Sequence, residues 1–344
     1  MNSNKVTQQI LKGNDESVMG YDHYIAIDWS IKVMAIAQMQ RRSKTPRVHE
    51  RPSDIKEAQG YLTLLKGRKI LALEETTTAQ WLYLELVDFV DRIIICDPYR
   101  NRLLLDGPKT DKLDAGKLCM LLRAGLLKEV FHSVNTLYEL RSLVSSYEDL
   151  VQAGVRVLNQ QKALELGHFT NGKNAPFILD HMKQSIEMYQ TSKKEYEEKF
   201  EEISKKHILI KHQMEIPGVG VIGAVKIVAT VVDANRFPHS GKYLSYCGLV
   251  YNEKLSGGRS YGRRRPRYSR RLKSVYKLAA MSCLSGNSNP MRRYYDCLIV
   301  RGLAEHNARN AVARYIAKVS YGMLKSGQRF IPYQNKSQRA EQQE

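Results

Sequence analysis

Four acidic residues, Asp28, Glu74, Asp111 and Asp114, stand where metal-assisted phosphodiester chemistry would need them. Asp28 closes the apolar run Tyr24-Ile25-Ala26-Ile27-Asp28, and Glu74 closes Ile70-Leu71-Ala72-Leu73-Glu74. Each run reads as a short buried strand with a carboxylate at its tip. Asp111 and Asp114 lie three apart in Lys109-Thr110-Asp111-Lys112-Leu113-Asp114-Ala115, so on a helix they share a face. Four gathered carboxylates repel one another unless cations lie between them, and an all-oxygen set suits Mg²⁺ or Mn²⁺. Two such ions can clamp the attacking and leaving oxygens of a phosphate. Taken singly, each acid has a plainer role: Asp28 as a helix cap, Asp111 and Asp114 as surface carboxylates beside Lys109 and Lys112. Glu75 competes with Glu74, because alternation along a strand sends the two to opposite faces.

A second group of residues lies far along the chain. Ile216-Pro217-Gly218-Val219-Gly220 precedes the apolar stretch 221–232 and resembles a helix-hairpin-helix turn. Gly218 and Gly220 would let backbone N–H groups approach a phosphate at a helix N-terminus; the plain alternative is a tight turn between helices. Ser256 stands before Gly257-Gly258 in a short polar loop, where a serine is ordinarily a turn residue. Beyond it run Arg259, Arg263, Arg264, Arg265, Arg267, Arg270, Arg271 and Lys273, with no acid among them. Arginine forks match phosphate oxygens, and the interleaved Tyr261 and Tyr268 offer rings for bases.

These residues need elements to hold them. Strands are expected over 24–29, 33–39, 69–74 and 92–96, with a helix over 79–91 and a stop at Asp97-Pro98. A strand tipped with a carboxylate, then helix, strand and late acidic helix, predicts an RNase H-like (RuvC-like) α/β domain over 21–132. Leu137, Leu140, Val144, Tyr147, Val151, Gly154 and Leu158 step by threes and fours. Met182, Ile186, Tyr189, Lys193, Tyr196, Phe200, Ile203, His207 and Ile210 continue the pattern. The seam predicts a coiled-coil helical hairpin over 133–213, turning within 167–176. It either packs on itself or serves as an arm for oligomerisation or nucleic acid. A mostly helical domain is expected over 214–330, with helices running to about 326. The polar stretches 1–20 and 331–344 read as tails.

The charge is unevenly spread. Of a formal +19, the stretch from Ile216 to Glu344 carries 23 Lys and Arg against 6 Asp and Glu, leaving the first 215 residues almost neutral. A near-neutral half with an acidic constellation and a polycationic half point to nucleic acid as partner. No apolar run is long enough to span a bilayer, and the first 18 residues lack a signal-peptide core. Five scattered cysteines without CxxC spacing fit a reduced cytoplasmic setting and argue against a structural zinc site.

In this order the motifs resemble one family, the DEDD-type insertion-sequence transposases of the IS110 group, which include the pilin-gene invertases. The resembling stretches are Ile25-Ala26-Ile27-Asp28, Leu73-Glu74-Glu75-Thr76-Thr77, the segment from Lys109 to Ala115 and Ile216-Pro217-Gly218-Val219-Gly220. Arg236-Phe237, Leu244-Ser245-Tyr246-Cys247-Gly248-Leu249 and Ser256-Gly257 extend the likeness, which runs from about 22 to 330. It implies a RuvC-like domain, a coiled-coil linker and a C-terminal transposase domain. It implies that Asp28, Glu74, Asp111 and Asp114 bind Mg²⁺ or Mn²⁺, and that Ser256 is a nucleophile. It also implies DNA partners at the element ends and target, a structured guide RNA encoded by the element, a homo-oligomer, and a bacterial or archaeal nucleoid setting. Two departures bear on the metal pocket: Trp29-Ser30 follows Asp28 where small or β-branched residues are usual, and Thr77 stands where relatives often have glycine.

Two rivals stay open at the level of sequence. A hydrolytic RuvC-like nuclease would use water and leave Ser256 idle. A non-catalytic nucleic-acid scaffold would use the basic half alone.

Overall fold

The computed structural model describes residues 20–98, 110–134, 137–167, 172–264, 266–285 and 289–331. Lys109 and Arg265 of the residues named above lie outside these, as do all but Gly20 and Ile331 of the expected tails and part of the hairpin turn. The chain divides into two compact units, Met1–Asn135 and Thr136–Glu344.

The first unit is built on a six-stranded sheet in the order β3-β2-β1-β4-β5-β6. Its strands are β1 (His23–Trp29), β2 (Val33–Gln40), β3 (Arg47–Pro52), β4 (Lys69–Glu74), β5 (Arg92–Cys96) and β6 (Glu129–Val130). β1, β4 and β5 run parallel, while β2, β3 and β6 run antiparallel to their neighbours. The central strands are apolar on both faces because helices cover both. Tyr24, Ala26, Ile70 and Ala72 face helix α3 (Asp111–Arg123), through Ala115, Leu118, Cys119 and Leu122. Ile25, Ile27, Leu71 and Leu73 face α1 (Ile55–Leu64) and α2 (Ala79–Leu86) on the other side. This mixed order, with a carboxylate-bearing helix on one face, is consistent with the expected RNase H-like domain. The four expected strands are present within a residue. The expected helix over 79–91 ends earlier, at Leu86, followed by a 3-10 turn from Val87 to Phe89. β3 and α1 were not anticipated.

The second unit is mostly helical. Its helices are α4 (Tyr138–Leu166), α5 (Ala175–Lys206), α6 (Ile208–Met214), α7 (Val221–Val231), α8 (Ser240–Tyr246), α9 (Arg270–Ser285), α10 (Pro290–Val300) and α11 (Glu305–Ser326). α7 is apolar nearly all round and is buried, as such a helix must be. Inside the same core a polar chain links Gln213, Ser320, Tyr276 and Tyr243 by hydrogen bonds, so none of these buried groups is left unmet.

α4 and α5 form an antiparallel hairpin. Tyr147 meets the Phe200 ring edge-on at 5.2 Å and donates to Glu197, while the Tyr189 ring fills the space left by the missing side chain of Gly154. The second helix is shorter than its spacing suggested. It stops at Lys206, His207 is extended, and Ile210 belongs to α6. Leu140, Val144, Tyr147 and Phe200, at the foot of the hairpin, share one core with the helices that follow.

The expectation of helices through to 326 is corrected at 252–264. There the chain forms an antiparallel two-stranded ribbon, β7 (Asn252–Ser256) and β8 (Arg259–Arg264). Gly257 and Gly258, at φ +56° and +76°, occupy the two turn positions that require a left-handed backbone, as in a type I′ hairpin. A helix would have had no apolar face to bury here.

Candidate active site

β1 and β4 pair in parallel, with Ile27 beside Leu73, so one step further Asp28 stands beside Glu74. Strand alternation puts both on the side of Ala26 and Ala72, the side covered by α3. α3 opens with the other two acids. Thr110 caps it, its Oγ1 accepting from the Leu113 N–H, and Asp111 and Asp114 occupy the first turn, where the helix dipole favours negative charge. The Cys119 thiol, donating to the Tyr24 carbonyl at 3.3 Å, ties this helix to β1.

Asp28 is within electrostatic reach of the other three acids. Burial, and then repulsion from Asp111, Glu74 and Asp114, push the Asp28 carboxyl up to about 6. The cation nearest in sequence gives no relief, because Lys112 is drawn to Glu50 on β3 at 2.8 Å. Asp114 Oδ1 is buried and has no hydrogen-bond partner among the described residues. A hard divalent cation suits such a set: oxygen donors only, one carrying a raised proton affinity and one an orphaned buried lone pair. Among the described residues, no three His, Cys, Asp or Glu side chains close around a single ion position. The acids are convergent but not clustered as a finished coordination shell.

Glu75 is engaged elsewhere. His132, its side chain 4% exposed, lies 2.5 Å from Glu75 Oε2 through Nε2 and 2.7 Å from Gln80 Oε1 through Nδ1. Gln80 in turn donates to the Ser133 carbonyl at 2.9 Å. His132 and Gln80 had no signal in the sequence, since 57 residues separate the histidine from the glutamate it holds. On the opposite side of β1 from Asp28, Trp29 packs edge-to-face on Trp81, the ring centres 5.5 Å apart.

In the second unit, Ser256 is the last residue of β7 rather than part of a loop. It is exposed, and its hydroxyl has no hydrogen-bond partner among the described residues. The basic stretch splits into parts. Arg259, Arg263 and Arg264 lie exposed on β8, and Arg267 follows. Arg270, Arg271 and Lys273 crowd the first turn of α9, against the helix dipole, a placement helix stability would not select. Arg271 is an internal clasp: it donates to Glu148 at 2.8 Å, and Lys226 meets the same carboxylate at 3.1 Å. Tyr268 packs against Gly248 beneath Lys273, which leaves Tyr261, 71% exposed, as the free ring.

The two glycines of the helix-hairpin-helix-like turn differ. Gly218, at φ +86°, presses on the backbone of α9, where an added Cβ would stand 2.2 Å from the Ala279 oxygen. Its absence of side chain serves internal packing. Gly220 begins α7 with open space around it and borders a cavity of about 460 Å³ that also touches Glu148, Lys226 and Arg271.

No helix among the described residues is long and apolar enough to cross a membrane. Comparison with known proteins covers both units. Residues 211–296 match the family model described as Transposase IS116/IS110/IS902 family, and residues 25–169 match a DEDD transposase model of the IS110 group. An uncharacterized 43.6 kDa protein of insertion element IS110 from Streptomyces coelicolor is 30% identical over 152 residues, 44% of this chain and 37% of that protein. An uncharacterized 44.8 kDa protein of insertion element IS116 from Streptomyces clavuligerus is 30% identical over 118 residues, 34% of this chain and 29% of that protein. The aligned part amounts to about a third of the length of these curated relatives. The match at 25–169 holds Asp28, Glu74, Asp111 and Asp114, the match at 211–296 holds Ser256 and the β7–β8 ribbon, and on the two together the chain belongs to the IS116/IS110/IS902 family of transposases.

Proposed function

We propose that this protein cuts and rejoins DNA as the transposase of an insertion element, with Ser256 as nucleophile and the acidic set as its divalent-metal site. The observation that carries the reading is the convergence of Asp28 with Glu74, Asp111 and Asp114, whose repulsion adds to burial in pushing the Asp28 carboxyl up to about 6. Glu74, not Glu75, is the ligand in this reading, because the Glu75 carboxylate is taken by His132. When bound, Mg²⁺ or Mn²⁺ supplies neutralisation of phosphate charge and an easier deprotonation of the attacking hydroxyl.

The chain's own residues do the rest. Ser256 Oγ forms a bond to a DNA phosphorus, the P–O3′ bond breaks, and the serine proton ends on the departing 3′ oxygen. The phosphoserine link keeps one phosphoester for one phosphoester, so a second 3′-OH can reverse the step on another strand without ATP. Arg259, Arg263, Arg264, Arg267, Arg270 and Lys273 hold phosphates, with Lys109 and Arg265 as further candidates, and Gly220 offers its backbone at the start of α7. Target choice falls to a structured guide RNA, as the family likeness implies, and the protein acts as a homo-oligomer. Arg271 and Gly218, placed among the nucleic-acid contacts on sequence grounds, are committed to Glu148 and to packing on α9 in the free chain.

The test is a covalent-adduct assay. Full-length protein is mixed with the element's flanking non-coding RNA, labelled junction DNA and Mg²⁺, then denatured. Labelled protein that disappears in Ser256→Ala supports the serine mechanism. One observation favours the hydrolytic rival: the Ser256 hydroxyl has no partner to activate it among the described residues. Cleaved DNA without adduct would favour that rival.

A further inference from the structure

The β7–β8 ribbon is exposed along its whole length, on both faces, so it has no core of its own. Its register nevertheless fixes which side chains stand together. Ser256 is opposite Arg259, Leu255 opposite Ser260, Glu253 opposite Arg263, and Asn252 opposite Arg264. Directly opposed residues project to the same side, and successive residues alternate. Along β7 Asn252 shares the face of Ser256 and Glu253 that of Leu255, so Arg259, Tyr261 and Arg264 stand on the Ser256 side, and Ser260 and Arg263 on the Leu255 side. The extra residue lies on β8, where Tyr261 and Gly262 stand against the single Lys254, so alternation along β8 breaks there and Arg263 falls on the Leu255 side.

We propose that this one face is a track for a single nucleic-acid strand, Arg259 and Arg264 each taking a backbone phosphate and Tyr261 stacking on a base between them. The inference rests on the reading of Ser256 as nucleophile, whose strand the track would deliver. Three observations support it. Arg259 has no ion-pair partner among the described residues and sits directly across from Ser256. Tyr261 is 71% exposed and its ring touches no other ring or cation among the described residues. Arg264 is exposed with no ion-pair partner among the described residues, whereas Arg263 turns to Glu253 at 3.6 Å on the other face. An order of fork, ring and fork, with roughly 6.8 Å from Arg259 to Tyr261 and a bulged step on to Arg264, suits a strand whose bases are unstacked, not a duplex whose bases are hidden. An isolated two-stranded ribbon is marginal in water, so the strand would also stiffen the arm that carries the serine.

The experiment titrates the full-length protein into fluorescein-labelled single-stranded DNA of mixed sequence at fixed salt, with thermal unfolding as a fold check. Arg259→Gln and Tyr261→Ala are each expected to weaken binding about tenfold, while Tyr261→Trp retains it. Adding Ser260→Arg to Arg259→Gln restores the net charge on the wrong side, and the loss is expected to stay. Full recovery in that double variant, or unchanged binding by Tyr261→Ala, would overturn the track and leave charge alone as the cause. The adduct assay reads the serine separately. Side-dependent binding without any wild-type adduct supports the track and removes the serine reading. An adduct with side-independent binding does the reverse.

Discussion

His132 Nε2 stands 2.5 Å from Glu75 Oε2, and this contact separates two adjacent glutamates by environment. Glu74 stands beside Asp28, whereas Glu75 is held by a buried imidazole that also meets Gln80. Glu74→Gln is expected to abolish Mg²⁺-dependent DNA cleavage with little change in Tm. His132→Ala is expected to lower stability by about 1–3 kcal/mol, since it leaves the buried Gln80 oxygen unmet. Glu75→Gln is expected to lower it by less, since its amide oxygen still accepts from His132, and both are expected to keep measurable cleavage. The reverse pattern in cleavage and urea unfolding would reassign the ligand to Glu75.

The raised Asp28 carboxyl makes a pH prediction for the metal-free protein. The folded state holds this proton up to about pH 6, whereas an unfolded aspartate loses it near 3.8. Between those values the folded state binds more protons, so stability falls as pH rises through the window. Asp28→Asn removes the charge and is expected to stabilise the protein in EDTA at pH 7.5 by at most about 3 kcal/mol, with the gain fading toward pH 4. Urea unfolding of both proteins across that range measures it, and a gain independent of pH would mean that the proton is not the cause.

Binding and chemistry should separate at α3. Asp111→Asn removes charge from an exposed first-turn residue and touches no packed surface. It is expected to leave nucleic-acid affinity within about twofold while suppressing cleavage at least 100-fold, the pattern of a group used only in the transition state. A parallel loss of binding would favour the scaffold reading.

The two glycines of the turn before α7 give opposite expectations. Gly218→Ala forces a left-handed backbone on alanine and drives a Cβ into the Ala279 carbonyl, so a loss of about 2–5 kcal/mol is expected. Gly220→Ala meets open space at an ordinary φ of −80°, so thermal unfolding should barely change. Weaker DNA binding by Gly220→Ala at unchanged Tm would identify the turn as a backbone contact to phosphate, and unchanged binding would leave it a packing element.

The legible parts of the fold and site were those whose signal is local. Apolar runs ending in Asp28 and Glu74 are visible because both faces of β1 and β4 are buried, and Asp111 and Asp114 because three-residue spacing is a helix property. β3 escaped notice because Arg-Val-His-Glu-Arg-Pro is a polar edge strand with little to bury. The ribbon at 252–264 hid for a related reason: none of its residues is buried, so no alternation marks it. Gly257-Gly258 was its one signal, and it was visible. His132 was beyond reach because its role depends on a tertiary contact. Tyr268 looked like Tyr261 in sequence, and only the fit against Gly248 tells them apart.

The tryptophan pair has a practical consequence. The chain contains two tryptophans, and both are in the Trp29–Trp81 contact, with Trp29 bonded in sequence to Asp28. Its indole emission therefore comes from this one contact, one residue from Asp28 and on the other face of the sheet, whereas near-ultraviolet dichroism also carries the tyrosines. Cation titrations and strand engagement at that edge of the sheet can be followed optically in the unlabelled, unmutated protein, with the rest of the molecule spectroscopically silent at tryptophan wavelengths.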